Sequence, residues 1–249
     1  MSSRDELKAL LFKAKAYVVE QRKLHPRAGL STERPLQRQV PAAAPADPTP
    51  AAAAPAPRNS NPNPEAPWAG NLGDFEAQIC GCKRCPLGSS RKRFVFGTGN
   101  PSAKLVFVGA APSAEDEQSG QPFAGETGKL LAKIVTAMGF KREDVYVLNA
   151  VKCRPPQGQP ASAAEQEACR PFFERQLELL SPKAVCSLGP EATAALLGPG
   201  LDFKESRGKF FEQKSWVVMP SHHPAELLRN EGLKRQAWED MKALLKKIS

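Results

Sequence analysis

Six cysteines are the residues of this chain whose spacing first suggests chemistry. Cys82 and Cys85 form a C-x-x-C followed directly by Pro86, while Cys153 and Cys169 lie far downstream. Four thiolates drawn from two separated pairs can wrap one tetrahedral zinc ion or one [4Fe–4S] cluster, and spacing alone does not choose between them. The competing reading makes Cys153 and Cys169 small buried hydrophobes, as free cysteines often are; the C-x-x-C weighs against it. Cys186, in an apolar run, reads as core, and Cys80 competes with Cys82 as a ligand. A disulfide framework belongs to small secreted domains, and residues 1–11 lack the uninterrupted apolar stretch of a signal peptide, so metal binding is the better default.

A second group is polar. His223 is one of three histidines, stands between His222 and Pro224, and closes an apolar run. The proline restricts the residue before it to extended backbone, which would carry that imidazole off a strand end. Glu115, Asp116 and Glu117 are consecutive acids. The plain reading of such a triplet is a solvated turn, and for Glu115 and Glu117 it is preferred.

The elements that must position these groups follow from periodicity. Lys104–Gly109, Val145–Val151, Ala184–Gly189 and Ser215–Pro220 read as strands; Thr127–Met138, Ser162–Leu180, Glu191–Leu197 and Leu233–Ile248 read as helices. Strand and helix in alternation imply right-handed crossovers and a mostly parallel sheet covered on both faces. Such sheets place ligand sites beyond the carboxyl ends of their strands. Chemistry is therefore expected in residues 110–123, 152–156, 189–191 and 221–224.

Ahead of this region, residues 1–25 carry Leu7, Leu10, Leu11, Ala14 and Val18 at helical spacing, an amphipathic helix that needs a protein partner for its apolar stripe. Residues 26–70 are rich in Pro and Ala and read as a disordered linker, which accounts for much of the 24 prolines. Residues 71–249 form the folded domain. The net charge of +9 favours a polyanionic partner. No apolar run approaches the roughly 18 to 20 residues of a membrane span, and a cytoplasmic protein with no membrane association is expected.

The order of short motifs resembles one family. Gly109-x-x-Pro112, the acids Glu115–Glu117, Gly120-Gln-Pro-Phe123, the run Asn149-Ala-Val-Lys-Cys-Arg-Pro-Pro156 and His223-Pro-Ala225 together look like family 4 uracil-DNA glycosylases, over about residues 75–248. The resemblance implies a three-layer α/β/α sandwich with a mostly parallel four-stranded central sheet. It also implies a [4Fe–4S] cluster on Cys82, Cys85, Cys153 and Cys169, which tilts the metal choice to iron–sulfur, and a monomer acting on uracil-containing DNA, single- or double-stranded.

Site roles follow from the same resemblance. Phe123 would stack on the extruded uracil, Asn149 would pair with its O4 and N3 edge, and His223 would donate to O2 as the base leaves. Ala110 and Ala111 would line the substrate loop, and Asp116 would orient water or stabilise the cationic sugar. The family usually reads G-E-A-P-G or G-E-G-P-G where this chain reads Gly109-Ala110-Ala111-Pro112-Ser113. The absent glutamate leaves a second reading open, a catalytically weakened protein that binds damaged DNA. Lys83, Arg84, Arg91, Lys92, Arg93, Lys152 and Arg154 would face phosphates, and the segment from Leu227 to Arg229 would present a wedge to the vacated stack.

Overall fold

A computed structural model describes residues 70–248. The expected helix over 1–25 and all but the last residue of the expected linker over 26–70 lie outside the described residues. The described chain opens with α1 (Leu72–Ile79), capped by Asn71 and Asp74 in a reciprocal capping box. A short α2 (Pro86–Ser90) begins on the proline that follows Cys85, a residue suited to the first turn because its missing N–H would be unpaired there anyway.

The sheet has six strands: β1 (Thr98–Gly99), β2 (Leu105–Gly109), β3 (Tyr146–Asn149), β4 (Ala184–Leu188), β5 (Phe211–Gln213) and β6 (Trp216–Ser221), in the order β1-β3-β2-β4-β6-β5. This corrects the expected four-stranded sheet. Strands β3, β2, β4 and β6 run parallel to their neighbours, and the two short edge strands β1 and β5 pair antiparallel. At two and three residues the edges are too brief to show a period-2 pattern, which is why periodicity misses them.

Every residue of β2, β3, β4 and β6 is buried, as a sheet covered on both faces requires. Alternate side chains go to opposite layers. Phe107, Val147, Cys186 and Met219 pack with Leu131 and Val135 of α4 (Gly125–Ala137) and with Met241 and Leu244 of α9 (Lys234–Ile248). Val106, Val108, Leu148, Val185 and Val218 pack with Phe173, Leu177 and Leu180 of α5 (Ala163–Leu180) and Ala192 of α6 (Pro190–Leu197), which the short α7 (Phe203–Ser206) follows. Cys186 is core, as its apolar run indicates. The chain passes from β2 to β3 on one side and then to β4 on the other side of β2. The direction of winding therefore reverses at β2, and a crevice opens beyond its carboxyl end.

A third apolar cluster caps one end of the domain and contains Phe75, Phe96, Val151, Phe172, Cys153 and Cys169. Between it and the sheet lies Lys152, which is fully buried. Its ammonium donates to the Asn149 carbonyl at 2.6 Å and to Gln176 Oε1 at 2.5 Å, and the Gln176 amide donates onward to the Phe96 carbonyl at 3.1 Å. Burial pulls the Lys152 pKa down to about 7, against the opposing effect of the Cys169 and Cys153 thiols. Lys152 is thus a structural strut between strand end and helix, and the expectation that it meets phosphate is corrected. Replacing Lys152 by Met keeps the volume and leaves two buried acceptors unpaired, so urea unfolding is expected to show a loss of about 2 to 4 kcal/mol.

Candidate active site

The loops beyond β2, β3, β4 and β6 meet at the crevice. Gly109 ends β2 in register with Asn149, which ends β3. Leu188 of β4 lies beside Ser221 of β6, two residues before His223. Sequence neighbours of four separate strands are brought together by sheet register alone.

Asn149 is only 2% exposed, and among the described residues its Nδ2 has no hydrogen-bond partner. A buried amide left unpaired costs about 1 to 3 kcal/mol, which marks a position held for something other than folding. Its Oδ1 lies over Gly109, where any added Cβ would collide with both that oxygen and the ring of Phe123. Glycine is required there by close approach.

Phe123 occupies left-handed backbone, φ +56°, a region that costs an ordinary residue energy. Asp116 holds it there. The Asp116 carboxylate accepts from the Ala124 amide at 2.7 Å and, through its other oxygen, from the Ser113 amide at 3.1 Å. Ser113 in turn caps α3 (Ala114–Ser119) by accepting from the Asp116 amide, closing a capping box. Asp116 therefore joins the first motif to the Phe123 turn, with both oxygens committed to backbone. Both contacts position backbone around the site.

The ring of Phe123 stacks on His223, with centroids 5.4 Å apart and planes 30° from parallel. His223 Nδ1 accepts from the Ala225 amide at 3.1 Å, at the start of α8 (Pro224–Arg229). Acceptance at Nδ1 assigns the proton of the neutral ring to Nε2. Burial lowers the His223 pKa below its ordinary 6.5, so the neutral form with a free Nε2–H donor prevails at pH 7. His222 turns the other way, pairing with Glu226 at 2.9 Å and Gln236 at 3.3 Å.

Ala110 and Ala111 line an adjoining cavity of about 560 Å³ together with Pro112, Arg154, Gln159 and Glu191. Phe123, Asn149 and His223 do not line it. Glu117, expected on a solvated turn, is buried: its carboxylate accepts from the Lys92 amide at 2.9 Å and pairs with Arg154 at 3.5 Å. Glu115 is exposed, as expected.

Cys153 and Cys169 are buried in the third apolar cluster, and Cys82 and Cys85 pack against it from the C-x-x-C turn. Nitrogen donors point at the sulfurs: the Arg84 amide meets Cys82 Sγ at 3.4 Å, and the Arg91 guanidinium meets Cys153 Sγ at 3.4 Å. Burial raises the Cys153 pKa and takes that of Cys169 up to about 11. Among the described residues no group of three or more His, Cys, Asp or Glu side chains is gathered tightly enough to hold one metal ion. Cys80 is exposed and its thiol donates to the Ala77 carbonyl, so it stands apart from the four.

Two arginines expected at phosphates have protein partners instead. Arg91 donates to the carbonyls of Cys82 and Cys80, at 2.5 and 2.7 Å, besides meeting Cys153. Arg154 is bound to Glu117. Neither use is visible in a linear pattern of charge. Lys83, Arg84, Lys92 and Arg93 remain exposed. On α8, Leu227 is 2% exposed and packs inward, while Leu228 is 43% exposed; only the second can act as a wedge.

A family model described as the Uracil DNA glycosylase superfamily matches residues 96–242. The chain is 37% identical over 176 residues to a Type-4 uracil-DNA glycosylase of Thermotoga maritima, covering 67% of this chain and 90% of that protein. It is 34% identical over 182 residues to the Type-4 uracil-DNA glycosylase of Archaeoglobus fulgidus, covering 70% and 92%. A third, the Type-4 uracil-DNA glycosylase of Sulfurisphaera tokodaii, is 34% identical over 183 residues, covering 70% and 83%. The chain belongs to the uracil-DNA glycosylase superfamily and, within it, to the type-4 family.

Substituting Asp116 by Ala removes the acceptor of two backbone amides and frees the Phe123 turn. Stability is expected to fall by about 1 to 3 kcal/mol, and hydrogen exchange of the Ala124 amide to accelerate while that of the β2 amides holds.

Proposed function

We propose that this member of the type-4 family hydrolyses the bond between uracil and deoxyribose in DNA, leaving an abasic site for base excision repair. The observation that carries the reading is the gathering, at one edge of the sheet, of the buried, unpaired Asn149 amide, the Phe123 ring and the Nε2–H of a neutral His223. An extruded base pays a few kcal/mol to leave the stack and must recover it in its binding site. The Asn149 amide offers a donor to O4 and an acceptor to N3–H of uracil; cytosine presents the reverse pattern. Phe123 supplies a flat apolar face.

As the C1′–N1 bond breaks, its electron pair departs with the base and charge gathers on O2. His223 Nε2–H, pre-oriented by the Ala225 amide, donates there without itself needing to be charged. The sugar becomes oxocarbenium-like, water adds to C1′, and its surplus proton ends on the released uracil or in solvent. Exposed Leu228 fills the vacated stack, and Lys83, Lys92 and Arg93 contact phosphates.

Cys82, Cys85, Cys153 and Cys169 would hold a [4Fe–4S] cluster. The fit is supported by four thiols around one apolar cluster, with N–H donors directed at two of the sulfurs. When bound, the cluster would tie the C-x-x-C turn to the segment that follows β3 and to α5. Arg91 would act there as a support, through Cys153 Sγ and two carbonyls.

The test is single-turnover excision from a uracil oligonucleotide by anaerobically purified protein, with its visible spectrum recorded. Alkali-sensitive breaks at uracil and a broad band near roughly 400 nm are expected; a cluster-bearing protein that binds the strand without cleaving it would overturn the enzymatic reading. Replacing His223 by Ala is expected to slow excision by roughly 100 to 1,000-fold. The pH profile follows from the lowered His223 pKa: excision stays level from pH 8 through the ordinary imidazole value of 6.5 and declines only below it, as the ring takes a second proton. An Arg91→Ala variant is expected to lose its 400 nm band in air faster than the parent does.

A further inference from the structure

The proposed reaction leaves a cationic sugar and needs a group to take a proton from water, and both demands are met by a free carboxylate beside the anomeric carbon. Ala110 and Ala111 present only methyl groups to the crevice. Of the acids around it, three have partners and Glu115 is directed elsewhere. Asp116 accepts from two backbone amides. Glu117 is taken by the Lys92 amide and Arg154, and Glu226 by His222. The Glu115 carboxylate lies over Gly125, where it would clash with any added Cβ.

Glu191 differs from all of these. It follows Gly189 and Pro190 at the carboxyl end of β4, the edge from which the site is built. Among the described residues its carboxylate has no hydrogen bond or ion pair. It lines the 560 Å³ cavity alongside Ala110, Ala111 and Pro112. It also lies close to the imidazole: a Cβ added to Gly189 would sit 3.3 Å from His223 Cβ and 3.8 Å from Glu191 Oε2. The negative charge of Glu191 opposes the effect of burial on His223, in keeping with that proximity.

We propose that Glu191 supplies the carboxylate of the reaction, from the start of α6, beyond the strand that pairs directly with β2. In the step so assigned, the water oxygen bonds to C1′ as the C1′–N1 bond gives way. One water proton passes to the Glu191 carboxylate, which later releases it to the uracil anion or to solvent. The inference rests on the uracil-excision reading.

The experiment measures single-turnover excision for the parent, Glu191→Gln, Glu191→Asp and the double variant Ala110→Glu/Glu191→Gln. Affinity is measured separately on an oligonucleotide whose 2′-fluoro-deoxyuridine resists cleavage. Glu191→Gln is expected to lower the rate by roughly 100-fold while affinity changes by no more than about twofold, the signature of an interaction made only in the transition state. Glu191→Asp, which keeps the charge, should recover part of the rate. In the double variant a carboxylate enters from the β2 side of the same cavity and should restore roughly tenfold or more. A Glu191→Gln rate within about threefold of the parent, or equal losses in rate and affinity, would overturn the assignment while leaving uracil excision standing. Failure of the parent itself to excise uracil would overturn the reading beneath it, and the assignment with it.

Discussion

The reversal of winding at β2 is the constraint on which the rest of the molecule depends. Because β3 and β4 flank β2 and are entered in opposite directions, the two crossovers put α4 on one face and α5 on the other. The chain leaving β2 then enters a crevice between the two crossovers. Parallel pairing adds the second condition, since it sends the ends of β2, β3, β4 and β6 to one edge. Gly109, Asn149, Gly189 and His223 share that edge because of register, and no local preference of theirs would otherwise assemble them.

Around the crevice, buried polar groups do the positioning. Asp116 is a carboxylate whose task is backbone: it spans from Ser113 to Ala124 and so maintains the left-handed Phe123. Lys152 joins the Asn149 carbonyl to Gln176, and its neighbour Cys153 belongs to the cysteine cluster. The proposed base site and the proposed cluster cradle are thus separated by one short, hydrogen-bonded stretch of chain. Such networks tolerate little change, because removing one partner strands another in a low-dielectric interior. Set among satisfied neighbours, the unpaired Asn149 Nδ2 is the conspicuous exception.

The first motif lacks a carboxylate, and the geometry of the acids shows how little that says by itself. Three consecutive acids follow it, and two of them are consumed by amides and an arginine. A carboxylate that faces the same cavity comes from Glu191, 81 residues further on than Ala110 and at the start of α6, beyond β4. In a crevice lined by several loops, charge can be supplied from any rim; distance to the reacting carbon, rather than place in a motif, is what Coulomb's law weighs.

The sequence by itself determined the strongly periodic parts. Four buried strands and four helices are legible because their apolar spacing is set by the pleat and by the helical turn, properties of the local chain. The motif order likewise marked Phe123, Asn149, His223 and the four cysteines, since residue type constrains chemistry before folding. Only the tertiary structure decided the rest. The edge strands β1 and β5 exist by pairing with β3 and β6 and carry no signal of their own. That Asp116 grips the Ala124 amide, that buried Glu117 pairs with Arg154, that Arg91 turns to Cys153, and that His223 Nδ1 accepts from the Ala225 amide are facts of folded geometry, the second and third of them between residues remote in the chain. A charged side chain looks the same in sequence whether it meets water or a buried partner, and the difference appears only when folding brings the partner within reach.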